Sequence, residues 1–292
     1  MQQPGEPNVD HAIHLTDEQR QAVSRSQEIS HDEAHDYTVG SPHLRHSVLR
    51  ERLESKIREA VAEVLARQES CAVLEIGAGH GSFTETVLAA GGTPTVTEMS
   101  KASFNFLKQK FGDVPQVRII YDTDGSAPIR DGGRFDLILL ISVIHHIPDY
   151  IEAATSLCDN VLRPGGTVLT YQDPPWYPRQ SRLGRMLSDG SYLVWRVTQG
   201  EFKRGLKTRW RRVKGIYDES EPSDLVEYHV VRQGVDDEAL RELFQPRFAS
   251  VEIDRYFSTQ SPTLQRIGKK FFPPNTFGMV ARGRNCFNLA AE

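Results

Sequence analysis

The sequence predicts an α/β fold built on a largely parallel sheet, and three observations carry that expectation. Between residues 71 and 173, short apolar or β-prone runs alternate four or five times with segments of helical period, joined by short connections. Repetition of that kind places strands in parallel through right-handed crossovers. Residues 135–141 are almost continuously apolar, as a strand covered on both faces must be. Residues 71–91 read as strand, glycine turn and helix, with Gly91 as the stop.

The chain has 292 residues, enough for one large domain or a domain with a cap. Its 38% apolar and 25% charged content is that of an ordinary soluble globular protein, and a net charge of −4 gives no global reason to expect nucleic acid or a membrane surface. Cys71, Cys158 and Cys286 are far apart and follow no metal spacing, which points to reduced thiols and a cytoplasmic setting. The first ten residues are polar, with Pro4 and Pro7, unlike a signal peptide. No run is long enough to span a bilayer.

In chain order, residues 1–14 read as disordered. Thr16 and Gln19 form a capping-box pattern for a short helix ending near residue 29. Residues 30–44 hold His31, His35 and His43 with three acids, but not as a clustered ligand set, so no metal is expected. Residues 44–68 carry Leu49, Leu53, Ile57, Val61, Val64 and Leu65 at spacings of three and four, an amphipathic helix laid on the sheet.

The turn at Gly77, Gly79 and Gly81 is the element around which the rest is organised. Glycine belongs where backbone takes positive φ or meets a ligand closely, and the following helix offers free N–H donors. The dinucleotide spacing fails: counted from Gly77 its third glycine is Ser82, and counted from Gly79 it is Thr84. The P-loop pattern fails too, for want of a Gly-Lys-Ser/Thr ending. What fits is acidic-x-Gly-x-Gly-x-Gly, starting at Glu75.

Residues 93–100 form a second strand ending at Glu98, 17 positions beyond Gly81, where a carboxylate can accept both ribose hydroxyls of an adenosine. Ser100 caps a helix running to residue 111. Residues 117–122 make a third strand ending in Asp122, with Asp124 an alternative acid; a plain Asp-Gly turn is the competing reading. The fourth strand runs into His145, His146, Ile147, Pro148 and Asp149, at the strand ends where open α/β sheets bind ligands. A helix over 150–162 leads to Leu162, Pro164, Gly165 and Gly166, then to a fifth strand ending near Asp173.

The Glu75–Gly81 pattern resembles motif I of class I S-adenosylmethionine (SAM) dependent methyltransferases. Residues 145–149 resemble the His-His-Ile-Pro-Asp run of many small-molecule members, and Leu162-x-Pro164-Gly165-Gly166 resembles another hallmark. With Glu98 these signals fall in the family's order over 71–171. The resemblance implies a Rossmann-like, seven-stranded, mostly parallel sheet with helices on both faces. Residues 251–256 and 276–283 would form its antiparallel edge hairpin. It implies SAM as cofactor, held by Tyr37, Glu75, Gly77, Ala78, Gly79, Gly81, Glu98, Met99, Asp122, Thr123 and Ser142, with Asp122 at the adenine amino group. The N-terminal arm would close over the cofactor through Tyr37 and His43.

The expected organisation is an arm over 1–43, a cofactor-binding core over 44–175, a substrate cap over 176–228 and the rest of the core over 229–292. Between 179 and 214 the cap segment holds eleven basic residues and two acids, interleaved with aromatics. Such composition also suits nucleic acid, but no nucleic-acid-reading module accompanies it. A cap over a small, bulky, natural-product-like acceptor is preferred, as in secondary metabolism, and an oligomer interface stays open. The linker over 258–274 is long and basic and reads as part of the substrate mouth.

For an O, N or C acceptor the candidate catalytic residues are His145 and His146, with Asp173 and Tyr37 behind them, because neutral imidazole is available near physiological pH. Transfer by proximity alone is the alternative. Two other functions compete: an NAD(P)-dependent oxidoreductase, which shares the turn and Glu98, and a non-catalytic SAM-binding protein.

Overall fold

The computed structural model describes residues 40–198 and 234–285. Tyr37, the expected helix near residues 16–29, His31, His35, Cys286 and residues 199–228 of the expected cap lie outside them. The elements are α1 (Pro42–Arg45), α2 (Ser47–Leu65), β1 (Ala72–Ile76), α3 (Ser82–Ala89), β2 (Thr93–Glu98), α4 (Lys101–Phe111), β3 (Arg118–Tyr121), α5 (Ala127–Arg130) and β4 (Phe135–Ile141). They continue with α6 (Tyr150–Asn160), β5 (Leu162–Asp173), α7 (Arg182–Thr198), α8 (Asp237–Phe244), β6 (Phe248–Tyr256), α9 (Pro262–Phe271) and β7 (Thr276–Arg284).

The seven strands lie in the order β3-β2-β1-β4-β5-β7-β6. β1 to β5 are mutually parallel, and β7 runs antiparallel to both β5 and β6. The Rossmann-like sheet and its edge hairpin are therefore as the motifs imply. All seven residues of β4 are buried, which explains its unbroken apolar sequence at the centre of the sheet. One layer packs α6 and α8 on the sheet through Leu157, Cys158, Leu240 and Phe244. The other packs α2 and α3 through Leu53, Ile57, Val61, Phe83 and Val87. Truncating a residue such as Leu139, fully buried between these layers, costs about 2–5 kcal/mol.

The helix expected over 44–68 is shorter. It starts at Ser47, because His46 takes extended backbone (φ −99, ψ 116) and separates the single turn of α1 from α2. The basic linker over 258–274 contains a helix, α9, capped by Ser261, whose hydroxyl accepts from Leu264 N. Its buried residues are Gln265 and Gly268, while Ile267 and Phe271 are exposed. Cys71 and Cys158 are buried free thiols, pushed up to about 12 by burial. No helix among the described residues is long and apolar enough to cross a membrane.

Candidate functional site

Because β1 to β5 are parallel, their carboxyl ends share one edge of the sheet, and the sequence candidates converge there. After β1, Gly77 N and Ala78 N both donate to Thr97 O, at 3.0 and 3.1 Å. Gly77, Gly79 and Gly81 all take left-handed φ, +66, +56 and +72. A Cβ on Gly77 would lie 2.8 Å from Val143 Cγ2, and one on Gly81 would lie 2.4 Å from Phe111 Cε2. The turn is therefore closed to side chains by conformation and by packing together. Glu98, from the next strand, secures it: Oε2 accepts from Gly79 N at 2.8 Å and Oε1 from Ser100 N at 2.9 Å. Glu75 is buried beneath the turn and accepts from Thr84 Oγ1 at 2.5 Å. Burial pushes its carboxyl up to about 7, against the lowering effect of that hydroxyl.

At the end of β3 the two candidate acids separate. Asp124 is exposed and serves its own turn, accepting from Ser126 N at 3.0 Å and Ser126 Oγ at 2.5 Å, and the Ser126 hydroxyl helps hold its carboxyl down at about 2. Asp122 is buried; Oδ2 accepts from Ala127 N at 3.3 Å, and Oδ1 has no hydrogen-bond partner. Burial raises its carboxyl above the usual range, and neighbouring Asp124 adds to this. Met99 is half-buried and Thr123 exposed at the ends of their strands.

The two adjacent histidines also part. His145 sits in the single 3₁₀ turn after β4. Its ring Nδ1 is 2.7 Å from Asp173 Oδ1, which also accepts from His145 N at 3.1 Å. Thr170 Oγ1 donates to the other oxygen, Oδ2, at 2.8 Å. A carboxylate can only accept, so Nδ1 donates in this contact, and the pair sets which ring nitrogen faces away from Asp173. Asp173 is wholly buried and His145 nearly so. His146 lies against His145, ring centroids 4.0 Å apart, while the contact to Asp173 belongs to His145.

Local backbone produces this pairing. The β5–β7 register slips between Tyr171 and Asp173, which face Gly278 and Phe277. The extra residue, Gln172, takes φ +69. A bulge shifts side-chain alternation by one place, and Asp173 thereby reaches Thr170. At the end of neighbouring β4, Ser142 takes φ +59 and donates its N–H to Tyr171 O at 2.7 Å. Among the described residues these are the two non-glycine residues with positive φ, and strain of that sort gathers at functional sites.

Residues 74–168 match the family model of a methyltransferase domain. That stretch of the core is a methyltransferase domain. Curated relatives include the polyketide synthase component of lovastatin nonaketide synthase from Aspergillus terreus, 31% identical over 138 residues, or 44% of this chain and 4% of that protein. Another is a ubiquinone biosynthesis O-methyltransferase from Alkalilimnicola ehrlichii, 27% identical over 37% of this chain and 44% of the relative. The chain thus spans less than half the length of these curated relatives. The plantazolicin methyltransferase BpumL, solved in complex with SAH, has a similar fold, with a TM-score of 0.52 at 15% identity over 90% of this chain and 96% of that one. So does the N-methyltransferase NodS from Bradyrhizobium japonicum WM9, with a TM-score of 0.50 at 17% identity over 93% and 100%.

In this methyltransferase core the sequence reading missed Thr170 and Gln172. A threonine inside a strand gives no signal of its own, and a bulge leaves none until the register is seen. A surface cleft of about 480 Å³ between α2 and β6, lined by Arg52, Lys56 and Asp254 among others, is a different place. Its Arg52 and Asp254 pair with each other at 2.6 Å. No group of three or more metal-ligating side chains is placed to hold an ion among the described residues. Of the basic segment after β5, Arg179 pairs with Asp236, one contact being 3.1 Å, and its guanidinium lies over the Trp176 ring at 4.9 Å.

Proposed function

We propose that this protein is a SAM-dependent methyltransferase acting on an oxygen, nitrogen or carbon of a small, bulky, natural-product-like acceptor. The observation that carries the reading is the His145–Asp173 pair, set at the carboxyl ends of β4 and β5 beside the glycine turn. The relatives named for polyketide synthesis support an acceptor from secondary metabolism.

The residues fit the cofactor. Oδ1 of Asp122 is a buried acceptor with no partner, suited to an adenine amino group. The carboxylate of Glu98, at the end of β2 beside the glycine turn, is the kind of acceptor suited to ribose hydroxyls. Gly77, Ala78, Gly79 and Gly81 offer main chain to the amino-acid tail, over Glu75. Met99, Thr123 and Ser142 flank the nucleoside, and Tyr37 would approach from the arm. When bound, SAM supplies an already activated methyl group.

The chain's own work is then to orient and to move one proton. Asp173 fixes the His145 tautomer, and Thr170 fixes Asp173. Nε2 of His145 takes the proton of the acceptor as it becomes nucleophilic, an effect worth about 10²–10⁴-fold. His146 packs against that ring. The segment over 176–228 would cover the acceptor, as a cap distinct from the 44–175 core and its completion over 229–292.

The test is label transfer from methyl-labelled SAM to a panel of small-molecule hydroxyl, amine and enol acceptors. Transfer that falls sharply in Asp173→Asn supports the reading. SAH bound by calorimetry with no transfer to any acceptor would leave a non-catalytic binder. Affinity for a nicotinamide dinucleotide in place of SAH would restore the oxidoreductase reading.

A further inference from the structure

Residues 40–46 lie against the chain that leaves β6. His46 Nε2 donates to Thr259 O at 2.8 Å, and Gln260 Nε2 donates to Gly40 O at 3.4 Å. Thr259 N is spent on Gln265 Oε1 at 2.8 Å. Two side-chain atoms in this seam are left over, His43 Nδ1 and Thr259 Oγ1, and neither has a hydrogen-bond partner. Both side chains are deeply buried, at 5% and 4% exposure. Buried polar atoms are ordinarily satisfied, and here two come from segments hydrogen-bonded to each other.

The seam reaches the helix that follows the glycine turn. The His43 ring stacks on Phe83 in the first turn of α3, centroids 5.9 Å apart. Burial, together with the nearby His145 imidazole and Arg50, pushes His43 down to about 3. It is therefore a neutral ring, and a neutral imidazole and a hydroxyl each hydrogen-bond without charge. Neither balances a buried carboxylate or ammonium, whereas both suit a hydroxyl or carbonyl.

We propose that His43 Nδ1 and Thr259 Oγ1 form a subsite for an uncharged hydroxyl or carbonyl oxygen of the methyl acceptor, next to the His145–Asp173 pair. This rests on the methyltransferase reading and makes His43 and Thr259 positioning residues. The arm would then serve the acceptor, where the sequence assigned His43 to the cofactor.

The probe is phenol, titrated into ¹⁵N-labelled protein with and without saturating SAH. Phenol should shift the His43 ring nitrogens. His43→Phe, which keeps the stack on Phe83, and Thr259→Val, which keeps the shape of the side chain, should each weaken phenol binding about tenfold. SAH affinity by calorimetry should stay within about twofold in both variants. Unmoved His43 resonances, with phenol bound or not, would overturn the proposal, as would native phenol affinity in both variants, since ordered water would then account for the two atoms. A parallel loss of SAH affinity would also overturn it, by returning the pair to the cofactor. Failure of the native protein to bind SAH would count against the methyltransferase reading alone, because the SAH-free titration still reads the subsite. Should a variant melt early, the shift in the native protein decides.

Discussion

Oε2 of Glu98 accepts a hydrogen bond from Gly79 N at 2.8 Å, so the last residue of β2 fixes the main chain that follows β1. Oε1 of the same carboxylate accepts from Ser100 N at 2.9 Å, at the start of α4. One side chain thus joins the turn, the second strand and the next helix. Hydrogen bonds to a buried charged group contribute about 1.5–3 kcal/mol each. Glu98→Ala should therefore lower the melting temperature and weaken SAH by more than about tenfold. Glu98→Gln, which keeps one carbonyl acceptor, should recover part of both. Calorimetry and thermal melts on the two variants check this; a change in SAH affinity at unchanged stability would mean the carboxylate does not hold the turn.

Gly79→Arg should abolish SAH binding and leave the far-ultraviolet circular dichroism spectrum folded. Gly79 takes φ +56, a region that side chains enter only with strain, and an arginine there would project from the turn assigned to the amino-acid tail. Unaltered binding would mean that the turn faces something else.

Asp122→Ala should weaken SAH about tenfold, the worth of one buried acceptor, while Asp122→Asn, which keeps a carbonyl at Oδ1, should lose less. Calorimetry distinguishes them. Equal losses would place the effect in the Ala127 contact of Oδ2 rather than in a ligand.

Asp173→Asn should cut turnover by about 10²-fold or more with SAH affinity unchanged. The amide removes the negative partner that fixes the His145 tautomer through the 2.7 Å contact. His145→Ala should match it, and the double variant should lose little more, because the two act as a unit. Label-transfer rates measured on the best acceptor settle the point, and additive losses would contradict it.

Stability should carry two opposing pH slopes. Glu75 is raised to about 7 from 4.5 by burial, so the folded state binds more protons and stability falls as pH rises from about 4.5 to 7, by about 3 kcal/mol at most. His43 is lowered to about 3 from 6.5, so the unfolded state binds more protons and stability falls as pH drops below about 6.5. In Glu75→Gln the first slope disappears, and melting temperature should climb from pH 4.5 to 6.5. In His43→Phe the reverse slope should stand alone. Thermal melts across that range test both signs.

The sequence made the parallel strands legible because four of them pair an apolar run with a glycine or acid at the end, and β4 is apolar almost throughout. It also made Glu75, Gly77, Gly79, Gly81 and Glu98 legible through spacing. Asp122 could be named but not separated from Asp124, since only burial and the Ser126 bonds distinguish them. His145 and His146 could both be named, but His145 could not be tied to Asp173, because that contact spans 28 residues and depends on a bulge. α9 did leave a signal, Leu264, Ile267 and Phe271 at helical spacing behind Ser261 and Pro262, whereas Thr259 left none, because a satisfied and an unsatisfied threonine look alike in a sequence.

The bond from His46 to Thr259 joins positions 213 residues apart. A ribosome making this polypeptide adds the residues of the glycine turn, Glu98, His145 and Asp173 well before Thr259 and before β7, whose register sets Asp173. The partly synthesised chain still lacks its seam over His43 and the core residues of β6 and β7. Such a precursor would lack both the acceptor subsite and the set position of Asp173, so turnover would emerge only once the last strand has been made.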